Sequence, residues 1–259
     1  EVGGMPAEEV RRNRAFFPRG LVQPEGGYRF AVDSLLLACY VRPGKEDRFL
    51  ELGAGCGVVS LGLLRHSGVS GLRGLGVDRD PEMVRAAGEN ADRLGLAGRF
   101  RARELDVRSV RGSELVGPES FDLVLFNPPY RRPDQGRRSP VEARNVARVE
   151  SGAGLEDFLR AAAYAVKNKG LVSLVFWAER LPHLLRTLAS HRLEPKRMRL
   201  VHGRSGRNAS QVLVEARKNG GEGLAAEPPL ILYSGEKGGL SSEALRFCPF
   251  LETNIRSAD

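Results

Sequence analysis

From Arg48 onward the apolar positions follow two alternating rhythms. Short runs with strand character are RFLEL (Arg48 to Leu52), GLGVD (Gly74 to Asp78), FRARELD (Phe100 to Asp106), FDLVLFN (Phe121 to Asn127) and GLVSLVFW (Gly170 to Trp177). Between them, residues 57–66, 81–96 and 155–167 carry apolar side chains at helical spacing, and Pro81 sits where a first helical turn tolerates it. Strand and helix in alternation predict βαβ units, hence a mostly parallel sheet with helices on both faces. A further helix is predicted at 181–191. The runs 197–201 and 211–217, joined by the polar HGRSGRNAS, predict an antiparallel hairpin that closes the sheet edge and brings the total to seven strands. Upstream, FFPRGLVQPEGGYRF (Phe16 to Phe30) reads as a short hairpin turning at Gly26 and Gly27, and AVDSLLLACYV as a helix capped by Asp33 or Ser34. The expected organisation is an α/β core at 48–220, an N-terminal hairpin and lead-in helix at 1–47 packed on it, and a C-terminal extension at 221–259 that begins with a loop and includes a short strand at LILYS.

Composition narrows this picture. A chain of 259 residues with 41% hydrophobic content can bury one large core. Its net charge of +8 favours a polyanionic partner over an acidic protein. Cys39, Cys56 and Cys248 lie far apart, so neither a disulfide framework nor a zinc site is indicated, no metal is expected, and a reducing cytoplasm fits. The longest apolar runs fall short of the roughly 20 residues that span a bilayer, and no membrane span is expected. The chain opens on Glu1 rather than methionine, which reads as a trimmed start, and no signal peptide follows.

Candidate chemistry sits at the strand ends. Gly53, Gly55 and Gly57 lie between the first strand and its helix, spaced two by two and preceded by Glu51. That G-x-G-x-G spacing differs from the G-x-G-x-x-G of dinucleotide sites and matches the pattern of S-adenosylmethionine sites. Asp78 ends the second strand, where a carboxylate can accept both ribose hydroxyls or cap the following helix. Asp106 ends the third; it reads either as an acceptor for an adenine amino group, with the Val107 N–H beside it, or as an ordinary strand-end aspartate. Asn127-Pro128-Pro129-Tyr130 ends the fourth. The prolines remove two N–H donors and leave the Pro128 carbonyl free to accept beside the Asn127 side-chain carbonyl, a pair able to grip a planar –NH₂ group while Tyr130 stacks on the attached base or amide. No strong general base is then needed, and none of His66, His183, His191 or His202 falls in an obvious catalytic motif. Residues 131–148 follow with six arginines, Arg131, Arg132, Arg137, Arg138, Arg144 and Arg148, against Asp134 and Glu142, a segment placed either to contact RNA phosphates or to remain a solvated loop.

FAVDSLLLACYV, ELGAGCGVVSLGLL, GVDRDPEMV, ELDVRS and FNPPYRRP together resemble the class I S-adenosylmethionine-dependent methyltransferases, with their Rossmann-like fold, and in particular the family that methylates N6 of adenine-37 in valine tRNA. The resemblance implies S-adenosylmethionine as cofactor, with Gly53, Ala54, Gly55 and Gly57 along its methionine and ribose, Asp78 and Arg79 at the ribose, and Asp106 and Val107 at the adenine. It implies that Asp33, Ser34, Glu51 and Asn127 also contribute to the cofactor side. Asn127, Pro128, Pro129 and Tyr130 would hold the target base; many relatives carry another aromatic or polar residue where this chain has Arg131 and Arg132, and it is the charge of the segment that places Arg131, Arg132, Arg137 and Arg138 to contact RNA. A tRNA substrate and a monomer or weak dimer are expected. Two other readings stand beside this one. Glutamine methyltransferases of release factors share Asn-Pro-Pro-Tyr, although they usually carry an N-terminal helical domain; a basic Rossmann-like RNA-binding module without catalysis is the third reading.

Overall fold

The computed structural model describes residues 6–25, 29–45, 47–128, 153–235 and 238–254. Five parallel strands, β1 (Arg48–Leu52), β2 (Arg73–Asp78), β3 (Phe100–Glu104), β4 (Phe121–Phe126) and β5 (Val166–Trp177), continue into the antiparallel β7 (Ala209–Lys218) and β6 (Leu193–Arg204). The order is β3-β2-β1-β4-β5-β7-β6. Two short strands, β8 (Ala225–Ala226) and β9 (Leu230–Tyr233), then pair in parallel with the far side of β6. Among the described residues the sheet thus has nine strands: the seven expected in the core, β9 where a short strand was expected at LILYS, and β8, which corrects the loop expected there because the C-terminal chain returns along an edge the hairpin would have left open.

Each face carries its own core. On one lie α2 (Val32–Tyr40), α3 (Val58–His66) and α4 (Pro81–Arg93), joined by Phe17, Ala244 of α7 (Ser242–Phe247) and Leu251 of α8 (Phe250–Asn254). The other is covered by α5 (Leu155–Ala165) and α6 (Leu181–Ser190), through Phe158, Leu159, Leu184 and Leu188. Strands buried on both faces read as continuous apolar runs rather than alternations, as Leu123 to Phe126 does. Helix α5 stops at Ala165 and Val166 already pairs with Phe121, so β5 begins four residues earlier than its apolar run indicates.

Two expectations upstream are corrected. Described residues between Phe16 and Phe30 form no strand; Gly26 and Gly27 lie outside the described residues. Val22 exchanges both backbone bonds with the Asn90 side chain of α4, at 2.7 and 3.0 Å, instead of with a hairpin partner. Before it runs a helix, α1 (Ala7–Phe16), which buries no side chain and is fastened by Arg14, whose guanidinium donates to the Leu94 carbonyl past the end of α4. Nor is α2 capped by Asp33 or Ser34. Ala31 is its N-cap residue, with no side-chain bond, and the two polar residues fall inside the first turn. That shift of two or three residues places Ser34 inside the first turn, where its hydroxyl meets Asn127 at the end of β4.

Candidate active site

Strand order reverses between β1 and β4, where open α/β sheets bind ligands beyond their strand ends. Gly53, Gly55 and Gly57 leave β1 with φ of 68°, 54° and 84°, left-handed values that side chains resist. At Gly57 space also runs out: an added Cβ would meet Ala87 and Leu61 at 3.3 Å. At Gly55 it would meet nothing within 4 Å, so the middle of the turn is an open face on which a ligand can lie against the backbone. The Phe158 ring packs beneath Gly53 and against Phe126.

Asp78 leaves β2 beside this turn and accepts from the Gly55 N–H at 2.8 Å and the Asp80 N–H at 2.9 Å. It does not cap α4; Asp80 does, through the Glu82 N–H. The capping reading of Asp78 is therefore corrected. Burial raises its pKa above the usual carboxylate range, against the two backbone donors that hold it down. Glu51 is buried more deeply, 2% exposed, and one of its oxygens accepts from both the amide and the hydroxyl of Ser60, in the first turn of α3. Desolvation pushes its pKa to about 8 despite those bonds.

Asp106 follows β3 and opens a short 3₁₀ turn at Val107–Ser109. Its carboxylate is gripped by Arg108, through the backbone N–H at 2.8 Å, Nε at 3.0 Å and a terminal nitrogen at 2.6 Å, which holds its pKa low. Arg79 stands near enough to lower the pKa of Asp78 and Asp106 alike. Asn127 caps the end of β4. Its Nδ2 donates to Ser34 Oγ at 3.1 Å, Ser34 Oγ lies 3.5 Å from Asp33 Oδ1, and the Ser34 N–H donates to that same oxygen at 2.7 Å. Ser34 and Asp33 are both 4% exposed. With its –NH₂ committed to Ser34, Asn127 keeps Oδ1 as its second polar atom. Pro128 is buried behind it; Pro129, Tyr130, Arg131, Arg132, Arg137 and Arg138 lie outside the described residues.

The structure thus brings Asp33, Ser34, Glu51, Gly53, Ala54, Gly55, Gly57, Asp78, Arg79, Asp106, Val107 and Asn127 to neighbouring ends of β1 to β4. Sequence reasoning passed over Ser60, Arg108 and Asn90. Asn90 was detectable as a lone polar residue on the Met83, Ala86, Ala87, Ala91 face of α4, and it joins the Cys56 carbonyl to Val22. A strand-end carboxylate beside an open glycine turn suits a ligand with ribose hydroxyls. Among the described residues no group of three or more metal-ligating side chains converges.

Residues 43–169 match a family model described as a methyltransferase domain. Over 246 residues, 92% of this chain and 94% of the relative, the sequence is 24% identical to a tRNA1(Val) (adenine(37)-N6)-methyltransferase of Dyadobacter fermentans. It is 30% identical over 174 residues, 62% of this chain and 57% of the relative, to a release factor glutamine methyltransferase of Agrobacterium fabrum. Among solved structures, a predicted O-methyltransferase from Agrobacterium tumefaciens superposes with a TM-score of 0.68 at 23% identity, covering 85% of this chain and 96% of that one. The strand order and the solved neighbour give the chain the class I methyltransferase fold, and with the glycine turn and the strand-end acids the similarities support an S-adenosylmethionine-dependent methyltransferase.

Proposed function

We propose that the protein methylates the exocyclic N6 of an adenine in tRNA, adenine-37 of a valine tRNA being the first candidate. The observation that carries this reading is the Asn127 amide, held at the end of β4 by Ser34 with its carbonyl oxygen uncommitted to that contact. A carbonyl acceptor there, with the Pro128 carbonyl beside it, suits an amino group attached to a flat ring. The relative from Dyadobacter fermentans, matched along nearly its whole length, bears the name of such an enzyme. The net charge of +8 agrees with an RNA partner.

S-adenosylmethionine, when bound, supplies an electrophilic methyl group on a sulfonium. Gly53, Ala54, Gly55 and Gly57 would line its methionine and ribose, Asp78 would accept the ribose hydroxyls, and Arg79, Asp106 and Val107 would flank the adenine. For Asp106 this means exchanging an Arg108 contact for the ligand. Glu51, Asp33 and Ser34, all buried, would lie behind the cofactor. On the substrate side, Asn127 Oδ1 and the Pro128 carbonyl accept the two hydrogens of the target –NH₂. Those bonds strengthen as the nitrogen gains positive character, and they fix its lone pair in line for attack. Tyr130 would stack on the base once it has left its neighbours. Pro129 would hold the turn, and Arg131, Arg132, Arg137 and Arg138 the adjoining phosphates.

A glutamine side chain presents the same planar amide, and the 30% identity to a release factor glutamine methyltransferase keeps that substrate as the second reading. Incubation with methyl-labelled S-adenosylmethionine, total tRNA and purified release factor in one reaction separates the two. Label in tRNA supports the proposal; label confined to the release factor overturns it.

A further inference from the structure

Strand direction places a second feature on the edge where Asn127 sits. Strands β1 to β5 all end there; β7 runs antiparallel to β5 and so begins there, and β6, antiparallel to β7, ends there. The end of β6 and the turn 205–208 that joins it to β7 therefore share the catalytic edge. So does the end of β9, whose Tyr233 pairs with Arg204 in the parallel β6–β9 ladder. Neighbouring strands lie about 4.8 Å apart, which puts this turn roughly 14 Å from the end of β4 and Tyr233 roughly 19 Å away.

The turn is built to hold charge outward. Gly206 takes a left-handed φ of 73°, the Arg207 N–H donates to the Arg204 carbonyl at 3.3 Å, and the His202 Nδ1–H donates to the Arg207 carbonyl at 2.7 Å. Arg204 and Arg207 are both exposed, and the Arg204 guanidinium stands 5.9 Å from the centre of the Tyr233 ring, itself 36% exposed. No aspartate or glutamate occurs from Arg199 to Val214. Among the described residues neither Arg204 nor Arg207 meets a carboxylate. The opposite edge of the sheet is also basic, but several of its cations are held internally: Lys167 on Asp122 at 2.6 Å, Lys218 on Glu119 at 2.9 Å, Arg217 on the Lys169 carbonyl at 2.7 Å. A basic protein therefore keeps these two charges unneutralised on the edge that faces the substrate.

We propose that Arg204, Arg207 and Tyr233 form an RNA-docking surface beside the active site. Arg204 and Arg207 hold phosphates of the strand that flanks the target nucleotide, and Tyr233 offers a ring face to an unpaired base. The proposal rests on the tRNA reading above and adds where that RNA is held.

The test uses the full chain with Arg204→Glu and Arg207→Glu together, against a control that reverses Lys45 and Lys169, exposed residues at the opposite edge. RNA affinity is measured by fluorescence anisotropy with labelled tRNA across a salt series, and S-adenosylmethionine affinity by calorimetry as a check on folding. The arginine pair should lose at least tenfold in RNA affinity and lower the slope of log K against log salt by about 1.5 to 2, with cofactor affinity unchanged. The lysine control should bind RNA as the wild type does. If wild type binds tRNA and the arginine variant binds it equally well, or if the control loses as much, the docking surface is refuted while the tRNA reading stands. If wild type binds no tRNA, the reading beneath the proposal fails instead.

Discussion

Asn127 matters less as a lone polar residue than as one end of a chain of contacts running through Ser34 to Asp33. A primary amide can present either end to a substrate, and here the serine hydroxyl takes the –NH₂. Ser34→Ala removes that choice without touching the reacting nitrogen. Turnover should fall about tenfold, the worth of one hydrogen bond, with the cofactor dissociation constant within about threefold and Ser34→Thr restoring most of the rate. Equal losses in turnover and cofactor binding would instead make Ser34 a cofactor ligand. Glu51 yields a pH dependence. Its pKa in the fold, about 8, lies above the ordinary value of 4.5, so the folded state holds a proton that the unfolded chain has released. Its contribution to stability is full below about pH 4.5 and is lost as pH rises through about 8. Glu51→Gln removes the loss. The melting temperature of the variant relative to wild type should rise between pH 5 and pH 8.5, and parallel curves would contradict the burial argument. At this scale the sequence was legible wherever a residue ended a strand: Asp78, Asp106 and Asn127 all lie at strand ends on the crevice side. It was not legible where the partner is distant. Nothing near Ser34 points to Asn127, 93 positions away, and nothing near Glu51 points to Ser60.

Among the elements, those with a buried stripe were readable and those without one were not. β1 falls at Arg48–Leu52 as its apolar run predicts, and α4 shows its Met83, Ala86, Ala87 and Ala91 face. Helix α1 buries no side chain, so it offers no periodicity to read; it is held by Asn13 and Arg14 reaching carbonyls at the end of α4. The lead-in helix α2 is pinned at its other end by Arg197 of β6. That guanidinium lies 3.9 Å from the Tyr40 ring centre, donates to the Tyr40 carbonyl at 2.9 Å, and pairs with Glu215 at 3.0 Å and Glu227 at 3.3 Å. Removing it strands the Glu215 carboxylate as well as a carbonyl, while Glu227 keeps Arg42 at 3.1 Å. Arg197→Ala should lower the unfolding free energy by about 3 kcal/mol in urea titration, and Arg197→Lys should recover only part, since an ammonium lacks the fork that serves several acceptors at once. A change below about 0.5 kcal/mol would show that α2 is held by its apolar packing alone.

Taken whole, the molecule joins a sheet whose strand ends carry the candidate site to a C-terminal chain that widens the same sheet. β8 and β9 extend β6, while Ala244, Cys248 and Leu251 close over α2, so the segment that positions Ser34 is enclosed by the last residues of the fold. The parallel core followed from the alternating rhythms. LILYS also declared its strand, but β8, the pairing of β9 with β6 and the sealing of α2 did not follow, because Ala225–Ala226 and Leu230–Tyr233 are too short for their own pattern to declare a pairing partner. Under the proposed function, this sheet edge presents the amino group of an adenine in RNA to the methyl donor through Asn127. Mass spectrometry of nucleosides from tRNA incubated with S-adenosylmethionine and either wild type or Asn127→Ala tests it most directly. N6-methyladenosine should form with wild type and fall about a hundredfold or more with the variant, cofactor affinity being nearly intact. A methylated nucleoside other than N6-methyladenosine, or equal yields from the two proteins, would contradict the account.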